Sequence, residues 1–431
     1  MRHARGHSVR APGGHSGPGV TLARGHLITR ALVAVAVVSA AVAIGAPALA
    51  QGQAQTIVSG LDFPTGIAFH SDGRMFVNER PGRIRVFENG RLADAPVAEI
   101  PTITQGETGL LGIALSPDEG SLFVFATEAD GSANTVWRVS VESGETERLI
   151  EDLPASLYHN GGGVAFDEDG MLLVSNGESH ESGRSQDPSV LGGKVYRFGP
   201  GDGQPVGDNP FEGNAAYAIG LRNPYGLTVD PVSGDAFVTE NGPESFDEVN
   251  RVGSGWNLGW PDVSGPRDGG DPAGPGEYHD PVASYEQIVV PTGLAFADPA
   301  DAQERFAGNL FFGTYGEQTI HRLVLNQDRT VAVEDEIFFR SDEPIVGMEW
   351  GPEGLYFSTP TSVKLLAIGG GAGAAGPSPE PTESPPSPSP TLPPRELDPA
   401  GTVVFIVVAA ILASGVVYTL RRGRALRRDR G

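Results

Sequence analysis

Once the first 50 residues are set aside, the chain holds five histidines, His70, His159, His180, His279 and His321. A neutral imidazole accepts a proton near neutral pH, so each is a candidate general base. His159 stands out for its company, because it opens the cluster His159-Asn160-Gly161-Gly162 and similar polar clusters recur along the chain. These are Glu107, Asn176-Gly177-Glu178, Arg222-Asn223-Pro224, and Glu240-Asn241-Gly242-Pro243 with Asp247-Glu248. Other chemistries are excluded. No Gly-x-Ser-x-Gly, Walker A or His-Glu-x-x-His motif is present, and no dinucleotide-type Gly-x-Gly-x-x-Gly joins a strand pattern to a helix pattern. With no cysteine, the chain has no disulfides, thiol chemistry, Cys-ligated zinc or iron–sulfur centre. The net charge is −24 and the only lysines are Lys194 and Lys364, so the basic face that nucleic acid requires is missing.

These clusters need elements to carry them, and the sequence supplies a repeat. Glycine, an alternating apolar stretch, a turn rich in Asp, Pro and Gly, and a second apolar run occur in that order six times. The copies are Gly66–Val77, Gly112–Phe125, Gly163–Ser175, Gly226–Thr239, Gly293–Gly313 and Gly347–Ser358. Each reads as a β-hairpin, with period-2 alternation on both sides of a turn. Two strands cannot bury a face alone, and repeats of roughly 40–50 residues with about four strands are the pattern of propeller blades. Further apolar runs supply outer strands: Ile84-Arg-Val-Phe, Thr135-Val-Trp-Arg-Val, Lys194-Val-Tyr-Arg-Phe and Ile320-His-Arg-Leu-Val-Leu. The expected fold is all-β, a six-bladed propeller closed by pairing Thr56-Ile-Val with Val363-Lys-Leu-Leu. The stretch Gly253 to Val289 has little strand pattern, and a long loop of that kind is usually functional. With 60 glycines and 36 prolines, a helical bundle is excluded.

The ends read differently. Residues 1–50 carry Arg2, Arg5, Arg10, Arg24 and Arg30, then an apolar run from Ala31 to Ile44 and Ala48-Leu49-Ala50, the pattern of a secretory signal peptide. The propeller is assigned to 51–368, and 369–400, rich in Pro, Gly and Ser, reads as a stalk. Thr402 to Leu420, within 401–420, is uncharged; at about 1.5 Å per residue it spans roughly 28 Å, the core of a bilayer. Residues 421–431 follow with six arginines, which places that end in the cytoplasm. The expectation is a single-pass membrane protein with its propeller outside.

Taken together, the motifs resemble the soluble-type quinoprotein glucose/sorbosone dehydrogenase family from about Ile57 to Ile368. The resemblance rests on Phe63-Pro-Thr-Gly-Ile-Ala-Phe, Glu79-Arg-Pro-Gly-Arg, Gly109-Leu-Leu-Gly-Ile-Ala and His159-x-Gly-Gly. It extends through Leu221-Arg-Asn-Pro-Tyr-Gly-Leu, Glu240-Asn-Gly-Pro with Asp247-Glu-Val-Asn, and Asn257-Leu-Gly-Trp-Pro. It implies a six-bladed propeller that binds pyrroloquinoline quinone (PQQ) and calcium and oxidises aldose sugars. His159 would be the base that takes the proton of the anomeric hydroxyl as hydride passes to the quinone, and Glu178 would orient it. Arg222 and Asn223 would contact the quinone, with Arg222 stabilising the developing negative charge. Glu107, Asn241, Asp247 and Thr292 complete the implied cofactor contacts. The carbonyls of Gly242 and Pro243 match ligands of a catalytic calcium, a cation that takes oxygen ligands. Asp268 and Asp280 either hold a second, structural calcium or are solvated loop acids.

The sequence departs from the family where it uses a Lys and two Arg to hold the PQQ carboxylates. Gly316, Pro344 and Val346 stand there, and Arg322 and Arg340 are the candidate substitutes, whose reach the sequence does not show. Buried carboxylates without partners are costly. Three readings follow. The first is a membrane-anchored aldose dehydrogenase that passes electrons to an unidentified acceptor. The second is a surface propeller that has lost the quinone and binds a sugar or protein. The third is a calcium-dependent hydrolase or lactonase built on Glu107, Glu178, Glu240 and Asp247.

Overall fold

The computed structural model describes residues 53–267 and 269–369. Its secondary structure is strand and turn throughout, apart from one short 3-10 turn at Ser182–Gln186. The strands form six separate sheets. Five are blades that start from a continuous run of chain: Pro64–Phe69 onward, Leu110–Leu115 onward, Gly161–Phe166 onward, Pro224–Val229 onward and Pro291–Phe296 onward. The sixth sheet is a composite. Met348–Gly351, Gly354–Thr359 and Ser362–Leu366 come from the end of the domain, and Gln55–Ser59 returns from its start to supply the outer edge. The closing pairs are Thr56 with Lys364 and Val58 with Val363, as the apolar runs at the two ends led us to expect.

The recurring glycine opens the inner hairpin of each sheet for a steric reason. The first strands pack side by side around a common axis, and each glycine meets the next first strand. A Cβ at Gly226 would stand 2.5 Å from the Thr292 carbonyl oxygen, and one at Gly347 would stand 2.6 Å from that of Thr65. Gly66, Gly112, Gly163 and Gly293 face their neighbours in the same way. A hydroxyl on the second strand then locks the joint. Ser175 Oγ accepts from Gly163 N (2.9 Å) and donates to the Pro224 carbonyl (2.8 Å). Thr239 Oγ1 does the same between Gly226 N (2.9 Å) and Thr292 O (2.6 Å), and Ser358 Oγ between Gly347 N (2.8 Å) and Pro64 O (2.8 Å).

The apolar core is divided among the joints rather than gathered in one place. Phe76, Leu110 and Leu122 are fully buried between the first and second blades, and Phe237, Leu310 and Phe312 between the fourth and fifth. Val77, Tyr356 and Val363 fill the joint of the closing sheet with the first blade. Alternation along each strand sends successive side chains to opposite faces, so one strand feeds two joints. Core of this extent explains how the fold dispenses with disulfides.

Several expectations are corrected here. The count of six blades is corrected: five blades start from continuous chain, and the sixth sheet is a closing one drawn from both ends of the domain. The sixth hairpin, with its third strand, is only a partial copy that has no outer edge until Gln55–Ser59 supplies it. Nor is Gly253–Val289 structureless. Trp256–Asn257 and Glu277–Tyr278 cross back to extend the third blade in parallel, and Ala283–Tyr285 supplies the outer strand of the fourth. The transmembrane helix and single-pass location are not carried further. Among the described residues no helix is long and apolar enough to cross a membrane. The stretches read as signal peptide, membrane helix and basic tail, and all but the first residue of the stalk, lie outside the described residues, as does Asp268.

Candidate functional site

The polar clusters lie on loops that enter first strands or leave second strands, and both kinds of loop lie at the same end of the axis. The loop before Gly161–Phe166 carries His159 and the loop after Leu172–Asn176 carries Glu178. These side chains meet, with His159 Nδ1 2.5 Å from Glu178 Oε1, and Glu178 is almost fully buried. With the Nδ1 proton directed at the carboxylate, Nε2 is left as the free acceptor of the ring. Glu107 arrives from the loop before Leu110–Leu115. Its Oε2 accepts from His159 N (2.8 Å) and from Asn223 Nδ2 (3.2 Å), which ties the second, third and fourth blades together. Asn223 Oδ1 in turn accepts from Gly161 N at 3.0 Å.

Arg222 stands beside this group. Its Nη1 donates to the carbonyls of Asn241 (2.7 Å) and Gly242 (3.0 Å), and its guanidinium lies 5.6 Å from the ring centre of Trp260. Burial works against its charge, opposed by Glu240, Glu178 and Glu107. Glu240 lies beneath, accepting from Asn223 N (2.6 Å) and Arg222 N (3.2 Å). Burial pushes its pKa up to about 8, with the Asn223 N–H working in the other direction. Asp247 is fully buried; it accepts from Gly242 N (2.8 Å), Val289 N (2.7 Å) and Val290 N (2.8 Å). Burial raises its pKa in spite of those three donors.

Thus His159, Glu178, Glu107, Arg222, Asn223 and Asn241 are brought together, with Asp247 holding the loop behind them. Thr292 is placed otherwise: its hydroxyl donates to Ile345 O (3.0 Å) and its carbonyl accepts from Thr239, a joint between blades. Asn241 Nδ2 binds Pro291 O at 3.1 Å. Asp280 is exposed and accepts from Arg267 N (2.9 Å) and the Tyr278 hydroxyl (3.2 Å), so it closes the long loop on itself. Arg322 does not reach the axis, since it binds Asn309 and Glu336 across blade five (2.6 and 2.7 Å). Arg340 ends the outer strand of the same blade.

The axial site also holds residues whose roles the motifs did not reveal. Arg80 donates through Nε to Thr108 O (2.8 Å) and through Nη2 to Gly106 O, lies over Phe63, and is close enough to the Glu107 carboxylate to feel its charge. It lies in the quoted Glu79-Arg-Pro-Gly-Arg motif, where its place at the end of a second strand was the available signal. His180 stacks on His159, with ring centres 4.3 Å apart and planes 6° from parallel. No sequence spacing encodes that contact.

The donor set can be tested against the groups the family resemblance implies. For a quinone it fits in part: Arg222 lies near Glu178, the partner of His159, and Arg80, near Glu107, offers a second cation. Calcium fits poorly. The Gly242 carbonyl already accepts from a guanidinium, both oxygens of Asp247 are taken by backbone donors, and Pro243 is exposed. Among the described residues no three His, Asp or Glu side chains are grouped to hold a metal. That also separates the four acids of the hydrolase reading, each of which has its own partners.

The propeller agrees with the comparisons to known proteins. The family model for glucose/sorbosone dehydrogenase matches residues 61–366, and the chain belongs to that family. It is 28% identical over 333 residues to the aldose sugar dehydrogenase YliI of Escherichia coli, covering 70% of this chain and 88% of that protein. Quinoprotein glucose dehydrogenase B of Acinetobacter calcoaceticus is 28% identical over 255 residues, covering 50% and 53%. Among solved structures, the PQQ-bound aldose sugar dehydrogenase of Streptomyces coelicolor superposes with a TM-score of 0.63 at 30% identity, covering 73% of this chain and 98% of that one. The apo-form of the soluble E. coli aldose sugar dehydrogenase gives 0.63 at 25% identity, covering 73% and 99%.

Proposed function

We propose that this protein oxidises aldose sugars at the anomeric carbon to lactones, with PQQ as its cofactor. The observation that carries the reading is the His159–Glu178 pair at 2.5 Å beside the Arg222 guanidinium. When bound, PQQ would supply the acceptor for the two electrons that leave with the C1 hydride; Arg222, Asn223 and Arg80 would hold it. Nε2 of His159 takes the proton of the anomeric hydroxyl, so the C1–O bond becomes the lactone carbonyl as the hydride leaves. Glu178 keeps the proton on Nδ1 beforehand and stabilises the imidazolium afterwards. Glu107 fixes the backbone of His159 and the amide of Asn223, which sets the distance between base and quinone pocket. An external electron acceptor completes the cycle. No step is assigned to calcium.

One observation favours a second reading, a sugar- or protein-binding propeller without the quinone. Gly316, Pro344 and Val346 provide no cation, and Arg322 is engaged on the outer strands. Titration of PQQ into the purified protein, followed by absorbance and melting temperature, separates the two. Saturable binding in the micromolar range or tighter, followed by dye reduction with an aldose, supports the dehydrogenase. The absence of any spectral change or stabilisation at large excess would overturn it in favour of the binding propeller.

A further inference from the structure

The His159–Glu178 hydrogen bond leaves one freedom unaccounted for. A single bond at Nδ1 fixes where that nitrogen points, but the ring can still turn about the bond and carry Nε2 out of line. His180 is placed to remove that freedom. Its ring lies 4.3 Å from that of His159 and nearly parallel, at 6°, and Tyr158 lies tilted against its own ring at 5.7 Å. The Glu178 edge and the His180 face together define the imidazole plane.

The backbone is bent to make this contact. His159, Ser179 and His180 have φ of 60°, 53° and 64°, the left-handed region that non-glycine residues rarely occupy. Such conformations persist where the surroundings impose them. Here Ser179 N donates to His159 O (3.2 Å), Gly177 N to Asn160 O (3.1 Å) and Glu178 N to Arg222 O (2.8 Å), pinning the Glu178 loop to those of His159 and Arg222. A merely solvated histidine would need none of this. His180 is itself exposed at the mouth of the site, so it covers the outer face of the proposed base.

We propose that His180 is a positioning residue, whose stacked ring holds the His159 imidazole in the plane from which Nε2 receives the substrate proton. This rests on the assignment of His159 as the base. The groups around His180 are His159, Glu178, Arg222, Glu107 and Tyr158; partial burial, and then His159, hold its pKa below the ordinary imidazole value. What the geometry supplies is a flat face stacked on His159.

Two variants separate the contributions, since His180→Phe keeps a flat ring and His180→Ala removes it. We expect kcat of His180→Ala to fall by roughly 2- to 12-fold, the range of an aromatic pair contact, with KM and PQQ binding little changed. His180→Phe should recover most of the loss. Wild-type kcat in His180→Ala overturns the proposal, as does a Phe variant no better than Ala. The ring-current shift of the His159 Cε1 proton, read by NMR without substrate, is independent of the reaction: it should disappear in His180→Ala and survive in His180→Phe. An unchanged shift in His180→Ala overturns the alignment directly. Failure of the wild type to oxidise any aldose, with the ring-current pattern as expected, would instead count against the base assignment and leave the alignment supported.

Discussion

The Glu178–His159 pair permits a quantitative test through Glu178→Gln. The amide is nearly isosteric with the carboxylate, so the buried volume is kept and only charge and donor pattern change. Two effects add. Imidazolium and carboxylate centres about 4 Å apart, at an effective dielectric near 20, attract by about 4 kcal/mol, and that attraction exists only after His159 has taken the proton. An amide N–H can also donate to Nδ1, which moves the ring proton to Nε2 and blocks the nitrogen that must accept. Discounting the Coulomb value for the hydrogen bond an amide can still make leaves about 3 kcal/mol, or a loss in kcat on the order of 10²-fold. KM should change by less than about 3-fold, because the substrate does not meet the Glu178 side of the ring. The assay is steady-state dye reduction with an aldose and saturating PQQ, alongside a melting curve to confirm folding. A folded variant whose kcat stays within about 3-fold of wild type would refute the reasoning.

Other predictions concern the frame. Glu349 borders a cavity of about 70 Å³ on the axis, and burial pushes its pKa up to about 8. A folded-state pKa above the ordinary 4.5 means that stability from this group is complete below that value and lost as pH rises through 8. Melting temperature should therefore decline between pH 5 and 9, and Glu349→Gln should flatten the slope and gain a few degrees at the alkaline end; parallel slopes for the two proteins would contradict this. Ser358→Ala removes the hydroxyl between Gly347 N and Pro64 O at the closing joint. Leaving these buried groups unpaired should cost roughly 1–3 kcal/mol in denaturant unfolding, and an unchanged midpoint would argue against the joint as a lock.

What could be read along the chain was whatever depends on near neighbours. Alternating apolar runs and the turns between them are local, so the hairpins and the loop positions of the polar clusters were legible in the chain. The motifs around His159, Arg222 and Glu240 likewise carried the family. Closure by the two unpaired end runs could be expected from their pattern, but not that Met348–Leu366 supplies only three strands and takes its outer edge from Gln55–Ser59. The same holds for the stretch from Gly253, whose short strands pair with an earlier blade.

Side-chain partnerships were decided by the tertiary structure alone. Arg322 was a candidate substitute cation whose reach the sequence could not show, and its register with Glu336 on the next strand commits it to the outside of blade five. Thr292 and Asp247, both expected to touch the cofactor, spend their polar atoms on backbone groups brought in from distant segments. Arg80 and His180 took their places for the converse reason: close approach across blades depends on packing, and packing is not written in spacing. Glycine shows both halves of this. Its recurrence was visible at Gly66, Gly112, Gly163, Gly226, Gly293 and Gly347, but the cause is the carbonyl, amide or side chain of the next strand, which stands where a Cβ would have to go.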